Sequence, residues 1–517
     1  MKNEQTASVS TGNSLNRAKM YQLILFPFNN GATNVYYILT MNYIMYHAEG
    51  VLGLAIAFAT SMVTIMRALD AFIDPVIGVL IDRTSGRFGK FRPFMVLGNL
   101  IMIVSALLMF FGTRLIPDTM MGARYVSYTL IYALFMIGYT FQTSCTRSGQ
   151  TCITNDPKQR PTFTIFNTIA SLVGMGLIQV VAAVVGAKVG YGSEAFFNFL
   201  IPLVILLSAG LTVLSLIGIW EKDRPEFYGV AHKKEKVKIK DYAKILTGNH
   251  ELQMLVVAGA STKLAFSIAT NTAVGCLLFG SMMGDYSGLY LPFYAIGYVF
   301  SAPFLIGGLR VSQKHGQKKT LVNFTALALV MYIGVLALLF MWQPGGANVL
   351  SFRNINLYTI LFIIFYGIGY GAYYSTADMS IPMVADCSDY ETYRSGNYVP
   401  GVIGTLFSLV DKLVSSLSTT IVGAAVVVVG LTTLPDATTP YMEGMKMLAI
   451  ILFCVVPMVA WVVTLIAMRS YHLSGERMKE IQAVNAVRKD AVKNGMPLVD
   501  AMEKWTTIDQ VPKEFID

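Results

Sequence analysis

The sequence predicts an all-α, polytopic membrane protein with twelve transmembrane helices in two six-helix bundles. Three observations predict it. Of 517 residues, 54% are hydrophobic and 13% charged, mean hydropathy is +0.56, and apolar runs of spanning length recur along the whole chain. The loops between these runs alternate between cation-rich and cation-poor. A glycine-spaced basic loop occupies the same place in each half of the chain.

Residues 1–19 are polar, rich in Ser, Thr and Asn, and carry no apolar core or cleavage site, so they read as a cytoplasmic tail and not a signal peptide. Apolar spans follow at roughly 20–46, 51–81, 94–113, 125–148, 162–187, 196–219, 251–280, 287–311, 321–342, 355–384, 400–430 and 441–468. Several exceed the roughly 20 residues a crossing needs, which predicts tilt, kinks or extensions beyond the bilayer. The division is then a first bundle over 20–219, a linker over 220–250, a second bundle over 251–470 and a cytoplasmic tail over 471–517. Within that tail Met478, Ile481, Val484 and Val487 form one stripe between Ser474 and Gly495. This predicts a short amphipathic helix packed under the bundle.

One set of loops holds Arg83, Arg87, Lys90 and Arg92, then Lys158 and Arg160, then Lys314, Lys318 and Lys319. The linker adds Lys222, Arg224, Lys233, Lys234, Lys236, Lys238, Lys240 and Lys244, whereas the opposite loops hold only Arg114, Arg124, Lys188 and Arg353. The positive-inside rule then makes both termini and the linker cytoplasmic, in a cell-membrane protein. The linker either lies near anionic headgroups or is simply solvated. The net charge of +9 therefore reports topology, and no nucleic-acid partner is expected.

Five scattered cysteines (Cys145, Cys152, Cys276, Cys387, Cys454) suggest neither a disulfide framework nor a zinc site. No Gly-x-Ser-x-Gly, His-Glu-x-x-His or Walker A pattern occurs, and His47, His232, His250, His315 and His472 all fall near or in loops. That argues against a membrane-embedded enzyme, a resident cofactor or direct ATP drive.

The repeat reads Gly78-Val-Leu-Ile-Asp-Arg-Thr-Ser-Gly86 after the second span and Gly308-Leu-Arg-Val-Ser-Gln-Lys-His-Gly316 after the eighth, each followed by a basic ending. Identical spacing at equivalent places argues for two six-helix units related by a parallel repeat.

The first of these loops closes the most charged apolar segment, Arg67 to Arg92. Arg67, Asp70 and Asp74 are spaced three and four residues apart, so a helix puts them on one face. Each charge would cost roughly 2.5–3.5 kcal/mol at mid-bilayer, so the face must look into protein or a wet cavity. Two readings fit. One is a neutralised cluster that locks helices together; the other, preferred here, is an ion or proton site. Other intramembrane polar residues are Asn29, Asn30, Thr33 and Asn34 in span one, Lys263 and Asn271 in span seven, and Asp378 in span ten. The Asn and Thr residues serve interhelical hydrogen bonding or substrate contact. Lys263 and Asp378 form a helix-tying pair or belong to the cavity.

The repeat and the Gly-x-x-x-Asp-Arg loop resemble the major facilitator superfamily. The stretch from Asp70 to Gly78, with the Arg-Phe-Gly-Lys-Phe-Arg-Pro that ends at Pro93, is similar to the glycoside–pentoside–hexuronide:cation symporter family (melibiose permease-like). The similarity continues through Asn155-Asp156-Pro157, Ala385-Asp386 with Asp389-Tyr390, and Asp411-Lys412, and so covers about residues 20–470.

The resemblance implies cation-coupled symport of a glycoside, pentoside or hexuronide by a monomer. It places Asp70, Asp74 and Thr140 in the cation site, Arg67 beside it, Tyr139 next to Thr140, and Lys412 near both cation and substrate. Ile73 stands where the family pattern has an Asn ligand, which favours a proton over sodium as coupling ion. On the sugar side the family's two galactoside-gripping acids fall at Thr33 and Thr143, its stacking Trp at Arg147 and an Arg at Asn167. Thr is a poorer acceptor for a sugar diol than a carboxylate, and an Arg facing the cavity suits an anionic sugar. Otherwise Arg147 sits at the span's cytoplasmic end and reaches water. A lysolipid or other non-sugar solute on the same fold is the alternative substrate class.

Overall fold

The computed structural model describes residues 17–84, 86–154, 159–227, 245–376, 379–396, 400–473, 475–512 and 515. Apart from one isolated bridge between Gly86 and Gly89, the regular structure among them is helical. Among the described residues, ten helices are long and apolar enough to cross a membrane. The other two crossings are span one, which is interrupted, and span two, which carries Arg67, Asp70 and Asp74. The chain is a multi-pass membrane protein.

Span one runs as Met20–Leu25 and Phe28–Ile38, broken at Pro27, where the chain lacks an N–H for the ladder. It then continues through π turns to Val51. Span two is Ile56–Arg83, span four Met121–Ile153, span five Arg160–Val189, span six Glu194–Ile219 and span eight Tyr286–His315. Span seven breaks after His250–Ala269 and resumes at Asn271, whose side chain caps the new turn by accepting from Ala273 N. Span eleven is Pro400–Val428.

Within the first half, span one packs on five and six, and span four on two and three; within the second, seven packs on eleven and twelve, and ten on eight and nine. The halves meet where span two lies along eleven and span five touches eight. Gly423 permits the first of these close approaches, because a Cβ there would stand 2.5 Å from the Thr60 side chain.

Hydrogen bonds that join the halves cluster on the side away from the basic loops. Thr64 Oγ1 donates to Ser416 O at 2.9 Å, Gln179 Nε2 to Tyr290 OH at 2.8 Å and Tyr46 OH to Pro435 O at 2.6 Å. Outside this seal lies a cavity of about 590 Å³ lined by Glu49, Ser193, Thr433 and Asp436 among others, remote from the charged residues of span two.

Three sequence expectations need correction. The span expected at 355–384 ends sooner: the helix is Leu357–Thr376, and a further helix Ser380–Ser395 lies beyond it. The second piece carries Asp386, Asp389, Glu391 and Arg394, a composition suited to water and not to lipid. His47 is not a loop residue but fully buried between the rings of Phe110 and Phe197, at 4.6 and 5.0 Å. The helix carries on past it as the turn His47–Val51, although Glu49-Gly50 suggests an end. Finally, the tail holds more structure than one helix. Glu476–Lys493 buries Met478, Ile481, Val484 and Val487 against the helix 380–395, as the stripe predicts. Beyond it, Leu498–Lys504, Trp505 and Val511 close a small second core, and Arg488 fastens it by donating to Trp505 O and Tyr393 O.

Candidate functional site

Span two brings Arg67, Asp70 and Asp74 to the face that meets spans four and eleven. Asp70 is fully buried. Its Oδ1 accepts from Thr140 Oγ1 at 2.6 Å, while its Oδ2 lies 2.8 Å from Lys412 Nζ and 3.4 Å from an Arg67 guanidinium nitrogen. Arg67 in turn stands over the rings of Tyr37 and Tyr139, at 4.9 and 5.6 Å to their centroids. These aromatic faces supply part of the stabilisation that water would give a guanidinium.

Asp74, one turn nearer the basic face, is placed differently. Its Oδ2 accepts from Lys412 Nζ at 2.5 Å and from Arg147 at 3.3 Å. Its Oδ1 is buried without a hydrogen-bond partner. A single ammonium from the second half thus sits between two carboxylates of the first. Three cations (Arg67, Lys412, Arg147) face two carboxylates, so the cluster as drawn carries a formal +1.

This arrangement constrains what can bind. A cation arriving between the carboxylates must compete with Lys412 for the same oxygens. A larger ion takes six or more hard oxygens; among the described side chains the two carboxylates and Thr140 stand here, while Ile73 packs among the apolar residues around Phe141. A proton needs only one oxygen, and Asp74 Oδ1 offers one.

The residues expected on the sugar side are brought only partly together. Thr33 is buried and its hydroxyl donates to the carbonyls of Asn29 and Asn30 in its own helix. Thr143 does the same to Thr140 O, at 3.2 Å. Asn34 Nδ2 bonds Asn30, and Asn30 Nδ2 reaches Asn167 O, leaving Asn167 Oδ1 buried and unpartnered. Arg147 does not merely reach solvent past the span's end: with a side chain 57% exposed it bends to Asp74. Lys263 lies 3.9 Å from Asp411, the residue before Lys412 in span eleven. Its position beside Lys412 in an apolar span was the signal available. Asp378 lies outside the described residues. Tyr36 and Tyr373 are fully buried packing residues.

Residues 28–475 match the family described as MFS/sugar transport protein. The chain belongs to this family. Among relatives of this sugar transport protein, the putative glycoside/cation symporter YagG of Escherichia coli (strain K12) is 25% identical over 86% of the chain and 89% of its own length. The lactose permease of Leuconostoc lactis is 24% identical over 82% of the chain and 65% of its length. In fold, the chain is similar to the nucleoside transporter NupG, with a TM-score of 0.53 at 10% identity, covering 88% of this chain and 100% of that one. The major facilitator fold expected from the repeat is thereby met by an independent structural likeness.

Proposed function

We propose that the protein is a cation-coupled sugar symporter of the cell membrane that works by alternating access, as a monomer and without enzymatic chemistry. The observation that carries the reading is Lys412: an ammonium of the second half is held by Asp70 and Asp74 of the first. The family and its glycoside- and lactose-carrying relatives support the sugar.

With the basic loops in the cytoplasm, the seal formed by Tyr46, Gln179 and Thr64 lies on the outer side and joins the halves there. Protonation of Asp74 removes one of the two charges that hold Lys412. The lock between spans two and eleven then weakens, and the two halves can rock about the central cavity. Linkage requires that whatever the proton does for sugar affinity, the sugar does for proton affinity. An inward-negative potential adds about 2.3 kcal/mol per charge per 100 mV to the inward step.

Arg147 sets the preferred sugar. Its guanidinium fork can leave Asp74 for a ligand carboxylate and bind it bidentately, which favours a hexuronide or glucuronide over a neutral glycoside. The test is uptake into proteoliposomes with pH and sodium varied independently. Accumulation of lactose or methyl glucuronide should rise as external pH falls and collapse with a protonophore. Steep sodium dependence at fixed pH, indifferent to protonophore, would overturn proton coupling.

A further inference from the structure

The two positions where the family resemblance places sugar-gripping acids hold threonines, and neither hydroxyl proton is free: both are donated to carbonyls of their own helices. Among the described residues around span two, the first-half carboxylates are Asp70 and Asp74, and cations occupy both. The second half carries one that the coupling site does not use. Asp411, on span eleven, has a side chain 37% exposed and lies 3.9 Å from Lys263 of span seven, itself 18% exposed. That distance makes an ion pair without a hydrogen bond, so the carboxylate lone pairs stay open.

An ionised, partly exposed pair in two membrane-spanning helices has to look onto water and not lipid. It is also next in sequence to Lys412, whose ammonium reaches span two, so it stands one residue along span eleven from the coupling site. We infer that Asp411 is the carboxylate that grips vicinal sugar hydroxyls, supplied from the second half in place of the two first-half acids. Two hydroxyls of a diol donate to its two oxygens, and Lys263 orients it. Sugar and coupling cation then act on adjacent residues of one helix, which ties substrate occupancy to the position of Lys412. The inference rests on the sugar reading above.

Calorimetric titration of the purified, full-length protein with lactose and with methyl glucuronide tests it. Asp411→Asn should weaken both sugars at least tenfold while the unfolding temperature stays within a few degrees of the unmodified protein. Where that variant does not fold, Asp411→Glu, which keeps the charge but moves the oxygens, should shift both affinities at least threefold. Unchanged affinity in a folded variant overturns the inference and leaves the symporter reading standing. Should the unmodified protein bind neither sugar, the sugar reading itself falls, and this inference with it.

Discussion

Asp70 and Asp74 are the same residue type, one helical turn apart on one face, yet they sit in two different regions of the charge site. At the Asp70 end both carboxylate oxygens are taken up, by Thr140, Lys412 and Arg67, and no carboxylate surface is exposed. At the Asp74 end the carboxylate shares Lys412 with its neighbour, leans on a half-exposed Arg147 and keeps one oxygen unpartnered. A charge enclosed by fixed partners is costly to change, whereas one held by a shared cation at the edge of water can be switched. On the proposed mechanism the two carboxylates do different work, Asp70 as anchor of the lock and Asp74 as the group that takes the proton.

The largest effect expected is at the anchor. Asp70→Asn leaves Lys412 and Arg67 without the charge that both face in a buried setting. Losing one partner of a buried pair costs about 3–5 kcal/mol, so thermal unfolding of the purified variant should fall clearly and uphill uptake should vanish. Equal stability of this variant and the parent would erase the distinction between the two ends.

Next comes the switch. Asp74→Asn removes a partly exposed carboxylate that shares its cation, at a cost nearer 1 kcal/mol. It should abolish accumulation against a gradient while sparing exchange of labelled for unlabelled sugar, because exchange does not draw on the proton gradient. Loss of exchange together with accumulation would mean that Asp74 is structural as well.

Smaller still is the effect at the rim. Arg147→Lys keeps the charge but loses the fork. A glucuronide should bind about tenfold more weakly, with a neutral glycoside changed less than threefold, as read from competition titrations. Equal loss for both would remove Arg147 from substrate recognition and leave it as a partner of Asp74 alone.

Most of the architecture was legible in the sequence because it is written in length and charge: spanning runs, basic loops on one side, and a Gly-to-Gly spacing repeated at 78–86 and 308–316. The three- and four-residue spacing likewise put Arg67, Asp70 and Asp74 on one face before any coordinates. What spacing cannot give is which face meets which helix across hundreds of residues. Lys412 reached the site through a resemblance; its place between both carboxylates, 338 residues away from Asp74, is tertiary. The same holds for Lys263, whose neighbour Asp411 lies on a helix that hydropathy alone cannot orient. The small core around Trp505 was invisible because a seven-residue helix with a few apolar side chains has no period to detect.

The proposed mechanism couples sugar and proton binding through Asp74, and proton counting on the purified protein tests it most directly. Sugar is added in weak buffer with a pH dye, near the pH where uptake is half-maximal. If the sugar raises the site's proton affinity, binding must draw protons from solution. The account predicts uptake approaching one proton per sugar bound in the unmodified protein and none in Asp74→Asn with its sugar binding intact. Uptake that persists unchanged in Asp74→Asn, or that is missing from the unmodified protein across the whole pH range in which it binds sugar, would contradict it.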